Sequence, residues 1–109
     1  MRRPASPRES TIVIAIMQAL KSVPDLVVRK RWGSEMAAAG DPDLTGCLRG
    51  RHFELEVKAS SGRLTRIQAV RLEEWRAAGA ITGVVHGVEE ALALLDVGKR
   101  QAPTNGGET

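Results

Sequence analysis

The heptapeptide His52-Phe53-Glu54-Leu55-Glu56-Val57-Lys58 decides how this chain is to be read. Successive side chains of a β-strand point to opposite faces, so Phe53, Leu55 and Val57 share one face while Glu54, Glu56 and Lys58 share the other. The apolar face calls for a core beneath it. Two carboxylates and an ammonium on the reverse face are costly to enclose unless they meet a cation, a ligand or one another. Taken alone, the strand is better read as a solvated outer face with cross-strand ion pairs, and its surroundings have to decide.

Upstream, Leu44 to Leu48 is a second short strand, joined to the first by Arg49-Gly50-Arg51, the signal of an antiparallel hairpin with a tight glycine turn. Gly40-Asp41-Pro42-Asp43 leads into it, so the pairing can set Asp43 beside Glu56 and Lys58. Leu26 to Trp32 reads as a further strand, with Val27 and Val28 giving β character. Gly33 to Gly40, rich in alanine and glycine, reads as a mobile loop or a short helical turn. At the front, Ser6-Pro7-Arg8-Glu9 offers an N-cap serine, a proline at the first helical position and a glutamate at the third. Ile12, Val13, Ile16, Leu20 and Val23 follow at helical steps, with Glu9 on the same stripe, and Pro24-Asp25 ends the helix.

Downstream of the heptapeptide, Ser60-Ser61-Gly62 is a loop. Thr65-Arg66-Ile67-Gln68 is a second capping box, opening a helix that runs to about Ala78 and closes at Gly79. Ile81 to His86 is a last strand and Val88 to Leu95 a closing helix with Val88, Ala91, Leu92 and Leu95 inward. The order αβββαβα predicts an α/β fold: a small mixed sheet of about four strands flanked by helices.

A chain of 109 residues suits one domain, placed at residues 1–96, with the polar, glycine-containing stretch 97–109 expected to be a disordered tail. Hydrophobic residues at 42% and charged residues at 27% are the balance of a globular protein. The longest apolar run, Ile12 to Ile16, cannot span a bilayer, and the basic N-terminus lacks a signal-peptide cleavage pattern. One cysteine, Cys47, excludes an internal disulfide, and a cytoplasmic setting is expected. The net charge of +3 is compatible with a polyanionic partner. Its clustering at Arg29-Lys30-Arg31, Arg49/Arg51 and Arg63/Arg66/Arg71/Arg76 suggests contacts to flanking phosphates. Only Trp32, Phe53 and Trp75 are aromatic, and Trp75 falls on the core side of its helix. Base stacking along a single strand is therefore a poor primary mode, and a duplex or branched DNA fits better.

If Asp43 and Glu56 converge, they and the backbone carbonyl of Val57 form a set of hard oxygen ligands suited to Mg²⁺. Lys58 beside them can orient an attacking water and stabilise charge growing on a phosphate. Asp43 is preferred to Asp41 because it follows the proline and enters the strand. Glu54 lies one pleat further away and is expected to be solvated or paired. His52 and His86 lack a ligand partner at useful spacing, so zinc is not expected. Cys47 has no adjacent base and is expected to be a small packed residue.

Asp43 within Gly40-Asp41-Pro42-Asp43-Leu44, followed by Glu56-Val57-Lys58, resembles the PD-(D/E)XK nuclease signature. Glu9-Ser10 opening the first helix, the turn at Gly50, the Gly62 loop, Gln68 in the next helix and Ala78-Gly79 after it resemble the VRR-NUC (virus-type replication-repair nuclease) subgroup over residues 9–95. The resemblance implies a restriction-endonuclease-like core and a Mg²⁺-dependent DNA endonuclease, with Mn²⁺ able to substitute. It implies that Asp43, Glu56, the Val57 carbonyl and Glu9 serve the metal, and that Lys58 is the catalytic lysine. Gln68 would support the site or contact DNA. Glu9 and Gln68 each have a competing structural task as the third residue of a capping box. Stand-alone members of the subgroup are phage-type proteins associated with branched DNA such as Holliday junctions, which makes a homodimer the expected state. Neither a membrane nor a small-molecule cofactor is expected. The rival readings are a non-catalytic basic DNA-binding module and a duplex nuclease without structure selectivity.

Overall fold

A computed structural model describes residues 8–32 and 38–98. Its elements are α1 (Glu9–Lys21), β1 (Leu26–Lys30), β2 (Leu44–Leu48), β3 (Arg51–Val57), α2 (Arg66–Ala77), β4 (Ile81–Val85) and α3 (Val88–Leu95), the expected order. The strands form one sheet in the order β1-β2-β3-β4. β1/β2 and β2/β3 pair antiparallel, whereas β3/β4 pair parallel because α2 crosses over between them.

The β2–β3 turn is as tight as a hairpin allows. Leu48 pairs with Arg51, and the two residues between them, Arg49 at φ 48° and Gly50 at φ 87°, are both left-handed. That is the type I′ geometry whose twist matches the flanking strands. The Arg49 amide also donates to the Asp25 carbonyl at 3.2 Å, which steadies the less tolerant of the two positions.

The apolar face of β3 carries the core. Phe53, Leu55 and Val57 pack with Val28, Leu44, Leu48 and Val85 of the other strands, with Val13, Ile16 and Leu20 of α1 and with Ala91 and Leu95 of α3. α2 lies on the opposite face over β3 and β4. β3 is therefore covered on both sides, so Glu54, Glu56 and Lys58 are all buried. The solvated-face alternative for this strand is excluded.

Several boundaries differ from expectation. α1 begins at Glu9, with Arg8 as an extended N-cap that makes no side-chain cap. Glu9 is therefore the first helical residue rather than the third of a capping box, a position the helix dipole also favours for an acid. Ser6 and Pro7 fall outside the described residues, as do residues 33–37 of the expected Gly33–Gly40 loop. β1 stops at Lys30 rather than Trp32. Val97, assigned to the tail, packs against the core and its amide donates to Leu92 O at 3.4 Å. The rest of the tail, 99–109, lies outside the described residues. Cys47 is exposed rather than packed, because α2 does not reach the outer face of β1 and β2. Among the described residues no helix is long and apolar enough to cross a membrane.

Gly46 has no room for a side chain. A Cβ there would stand 2.1 Å from Val27 O and 2.4 Å from Phe53 Cζ. Gly46→Ala is expected to lower stability by about 2–3 kcal/mol, read from the urea midpoint.

Candidate active site

The site forms where the β2–β3 ladder breaks. Continuing the register from Leu44↔Leu55 sets Asp43 opposite Glu56 and Pro42 opposite Val57. Proline has no amide to donate, so the Val57 carbonyl receives no ladder bond from that strand. The Val57 amide takes a substitute, donating to Asp43 Oδ2 at 2.8 Å. That bond draws the Asp43 carboxylate across to β3, on the face that Glu56 occupies. In a strand the amide and carbonyl of one residue point toward the same neighbour, so the Val57 carbonyl also lies on the Asp43 side.

Glu56 is 2% exposed. Burial first, then the like charge of Asp43, push its carboxyl from the ordinary 4.5 up to about 8, against the pull of Lys58. A hydrogen bond between the Asp43 and Glu56 carboxyls and the more distant charge of Glu9 act in the same upward direction. Lys58 Nζ stands 3.7 Å from Glu56 Oε2. Gln68 performs both of its candidate tasks with one side chain. Its Oε1 accepts from the Thr65 amide at 2.9 Å, completing the capping box, while its Nε2 donates to Glu56 Oε2 at 3.2 Å.

Glu9 reaches the same end of the sheet from α1, where its Oε2 accepts from the Ala59 amide at 3.4 Å. Gly62 makes this approach possible, since a Cβ there would press within 3.2 Å of that oxygen. Among the described residues no three His, Cys, Asp or Glu side chains form a cluster able to hold a metal ion by themselves. The donors brought together are hard oxygens, two carboxyls and a carbonyl without its ladder donor, of the kind that could hold a divalent cation such as Mg²⁺.

Two solved structures have this architecture. One, described as "VRR_NUC domain", is 26% identical, covering 81% of this chain and 94% of that one at a TM-score of 0.66. Another, a "VRR_NUC domain protein", is 16% identical, covering 84% and 88% at a TM-score of 0.70. The chain shares the fold of these VRR-NUC domains. No family model and no curated protein matches it by sequence.

Beside its acidic pair, the domain holds a second polar network that sequence reasoning missed. Glu54 is fully buried and neutralised by both nitrogens of the Arg31 fork, with Thr45 Oγ1 and His52 Nε2 each at 2.5 Å. Arg31 also donates to Pro42 O at 2.9 Å, and its amide donates to Asp43 O at 2.8 Å. Trp75 completes the group, with its ring 5.2 Å from that of His52 and 5.1 Å from the Arg31 guanidinium, and its Nε1 donating to Asp41 Oδ1 at 3.2 Å. Asp41 is thus engaged elsewhere, leaving Asp43 to face Glu56.

The network revises the arginine clusters. Arg31 fastens the Pro42–Asp43 segment and is not a free phosphate contact. Arg49 and Arg51 lie at the hairpin end, away from the acidic pair, and bind the Pro24, Val97 and Leu95 carbonyls. Arg71 and Arg76 pair with Glu74 and Glu73 on their own helix. Arg63 and Arg66 are exposed and, among the described residues, make no ion pair.

Removing one partner of a buried ion pair leaves the other charge stranded. Arg31→Met is therefore expected to cost about 3 kcal/mol in chemical denaturation, with Arg31→Met/Glu54→Leu recovering much of it. The Glu56 carboxyl gives a second expectation. The folded state keeps its proton between pH 4.5 and about 8, where the unfolded chain has already lost it. Stability in EDTA should therefore fall as pH rises across that window and level off above it, by on the order of 5 kcal/mol. Glu56→Gln should flatten the profile in melting curves.

Proposed function

We propose that this VRR-NUC domain is a metal-dependent DNA endonuclease that hydrolyses phosphodiester bonds at the Asp43–Glu56–Lys58 cluster. The observation that carries the reading is the meeting of two carboxyls and an amine at the broken end of a buried strand. Asp43, Glu56 and the Val57 carbonyl would hold Mg²⁺, with Mn²⁺ accepted by the same oxygens. When bound, the ion would acidify a water and offset charge on the scissile phosphate.

The chain's own residues account for the remainder. Glu56 must give up the proton it holds at neutral pH, so metal affinity should rise with pH. Gln68, bonded to one Glu56 oxygen, fixes how the other is presented. Lys58 is 8% exposed, and its amine, poorly hydrated there, is placed to orient the attacking water and to meet negative charge developing on phosphate oxygens. Glu9 adds acidic charge from α1 and holds the Ala59 amide, which positions the segment after Lys58. Exposed Arg63, in the loop before α2, and Arg66, its first residue, would grip flanking phosphates, so affinity should fall steeply with salt.

Branched DNA, such as a Holliday junction, is the proposed substrate, and a homodimer would present two equivalent sites to a two-fold symmetric junction. Exposed Ile67 and Val70 on α2 are apolar surface available for such pairing. The rival of a non-catalytic module gives no reason for two carboxyls to be forced together, since that arrangement repels DNA phosphate.

Asp43→Asn and Lys58→Ala should each lower Mg²⁺-dependent cleavage at least about a hundredfold while leaving DNA affinity within about threefold. Persistence of nicking in both purified variants overturns the assignment. Cleavage rates on a four-way junction, a flap and a plain duplex of equal length, together with the mass in solution, separate the branched-DNA reading from an unselective duplex nuclease.

A further inference from the structure

The chain has three aromatic side chains of the phenylalanine, tryptophan and tyrosine kind, and two are spoken for. Phe53 is 0% exposed in the core. Trp75 has one face on His52 and the Arg31 guanidinium against its ring, and its indole N–H is bonded to Asp41. Trp32 differs from both. It is 75% exposed, the largest apolar side chain the described surface offers to solvent. Lys30 Nζ lies 4.4 Å from its ring centroid, so the ring is held against a cation without being covered.

Its place in the sheet gives that exposure a use. Lys30 pairs with Leu44, and the Arg31 amide bonds the Asp43 carbonyl, so Trp32 follows directly at the strand end that bears the acidic pair. Adjacent strands are about 4.8 Å apart, which puts the Trp32 backbone beside the strand carrying Asp43. Half-buried Lys30 supplies positive charge beside the ring, and its pairing with Leu44 sets both side chains on the α1 side of the sheet, the side from which Glu9 reaches Ala59.

We propose that Trp32 is a stacking platform for an unpaired nucleobase next to the cleaved phosphate, with Lys30 meeting the adjoining backbone. A flat indole face binds any base but needs one that is not already stacked on both sides, so it recognises a branch point, a flap or a frayed end and not continuous duplex. One such residue serves one base, which suits recognition of a discontinuity and not of a long single strand. The proposal rests on the nuclease reading only for where cleavage occurs; binding itself is independent of it.

The experiment is a binding cycle in EDTA, by fluorescence anisotropy, with a duplex carrying a single-stranded flap, the same flap with abasic residues at the branch, and a fully paired duplex. Trp32→Ala should weaken flap binding about tenfold and duplex binding less than about twofold, while Trp32→Phe keeps most of the affinity. The abasic flap should cost the unaltered protein the same factor and cost Trp32→Ala nothing further. Independent, additive losses, or an equal loss on plain duplex, overturn the proposal. A Trp32→Ala protein whose mass in solution drops does so as well, because the ring then packs on a second copy. A failed cycle with Asp43-dependent cleavage sinks only this inference, whereas an intact cycle with no cleavage sinks only the nuclease reading.

Discussion

Proline lacks an amide hydrogen, and at position 42 that absence organises one end of the sheet. Opposite Val57 a ladder residue would exchange two hydrogen bonds; Pro42 supplies neither the donor nor the continued strand. The Asp43 carboxylate takes over the acceptor's part, donated to by Val57 at 2.8 Å, and so comes to face Glu56. Two acidic groups are brought together by satisfying a backbone amide, and the repulsion between them is held in check by the surrounding fold. Arg31 does much of that holding: it bonds the Pro42 and Asp43 carbonyls and is itself fixed by buried Glu54. The polar face of β3 is thus divided between adjacent pleats. Glu54 is saturated with partners and rigid, while Glu56 is left under-compensated and holds a proton at neutral pH.

Such a division has a physical logic. A carboxylate that is fully neutralised by arginine has nothing left to offer a cation, whereas one that is buried against another acid gains by exchanging its proton for a metal. The Arg31–Glu54 pair fixes the geometry, and the Asp43–Glu56 pair is left able to exchange a proton for a cation.

Much of this was legible in the residues. Alternation in 52–58 gave both faces of the central strand, the Gly50 turn gave the hairpin, and the hairpin gave the approach of Asp43 to Glu56. The Thr65–Gln68 capping box was read as it is found. What escaped the reading depended on coverage or on distant partners. Alternation assigns Cys47 to the outer face but cannot tell that α2 stops short of it, nor that the same helix seals Glu54 from water. Arg31 looked like one more member of a basic run, because its partner lies 23 residues away. Its position beside Pro42 becomes evident only once the β1–β2 register is known. The start of α1 was misplaced because a serine and proline in capping order outweighed the simpler start at Glu9.

One feature of the sheet's margin bears on the behaviour of the protein in a crowded cell. Among the described residues β1 pairs only with β2, so its outer side carries amide and carbonyl groups without a ladder partner. A long apolar edge of that kind invites strand addition by other chains. β1 is five residues long and ends in Arg29-Lys30, which makes the edge too short and too positively charged for a second strand to zip onto, and turns a potential aggregation seam into a self-limiting one.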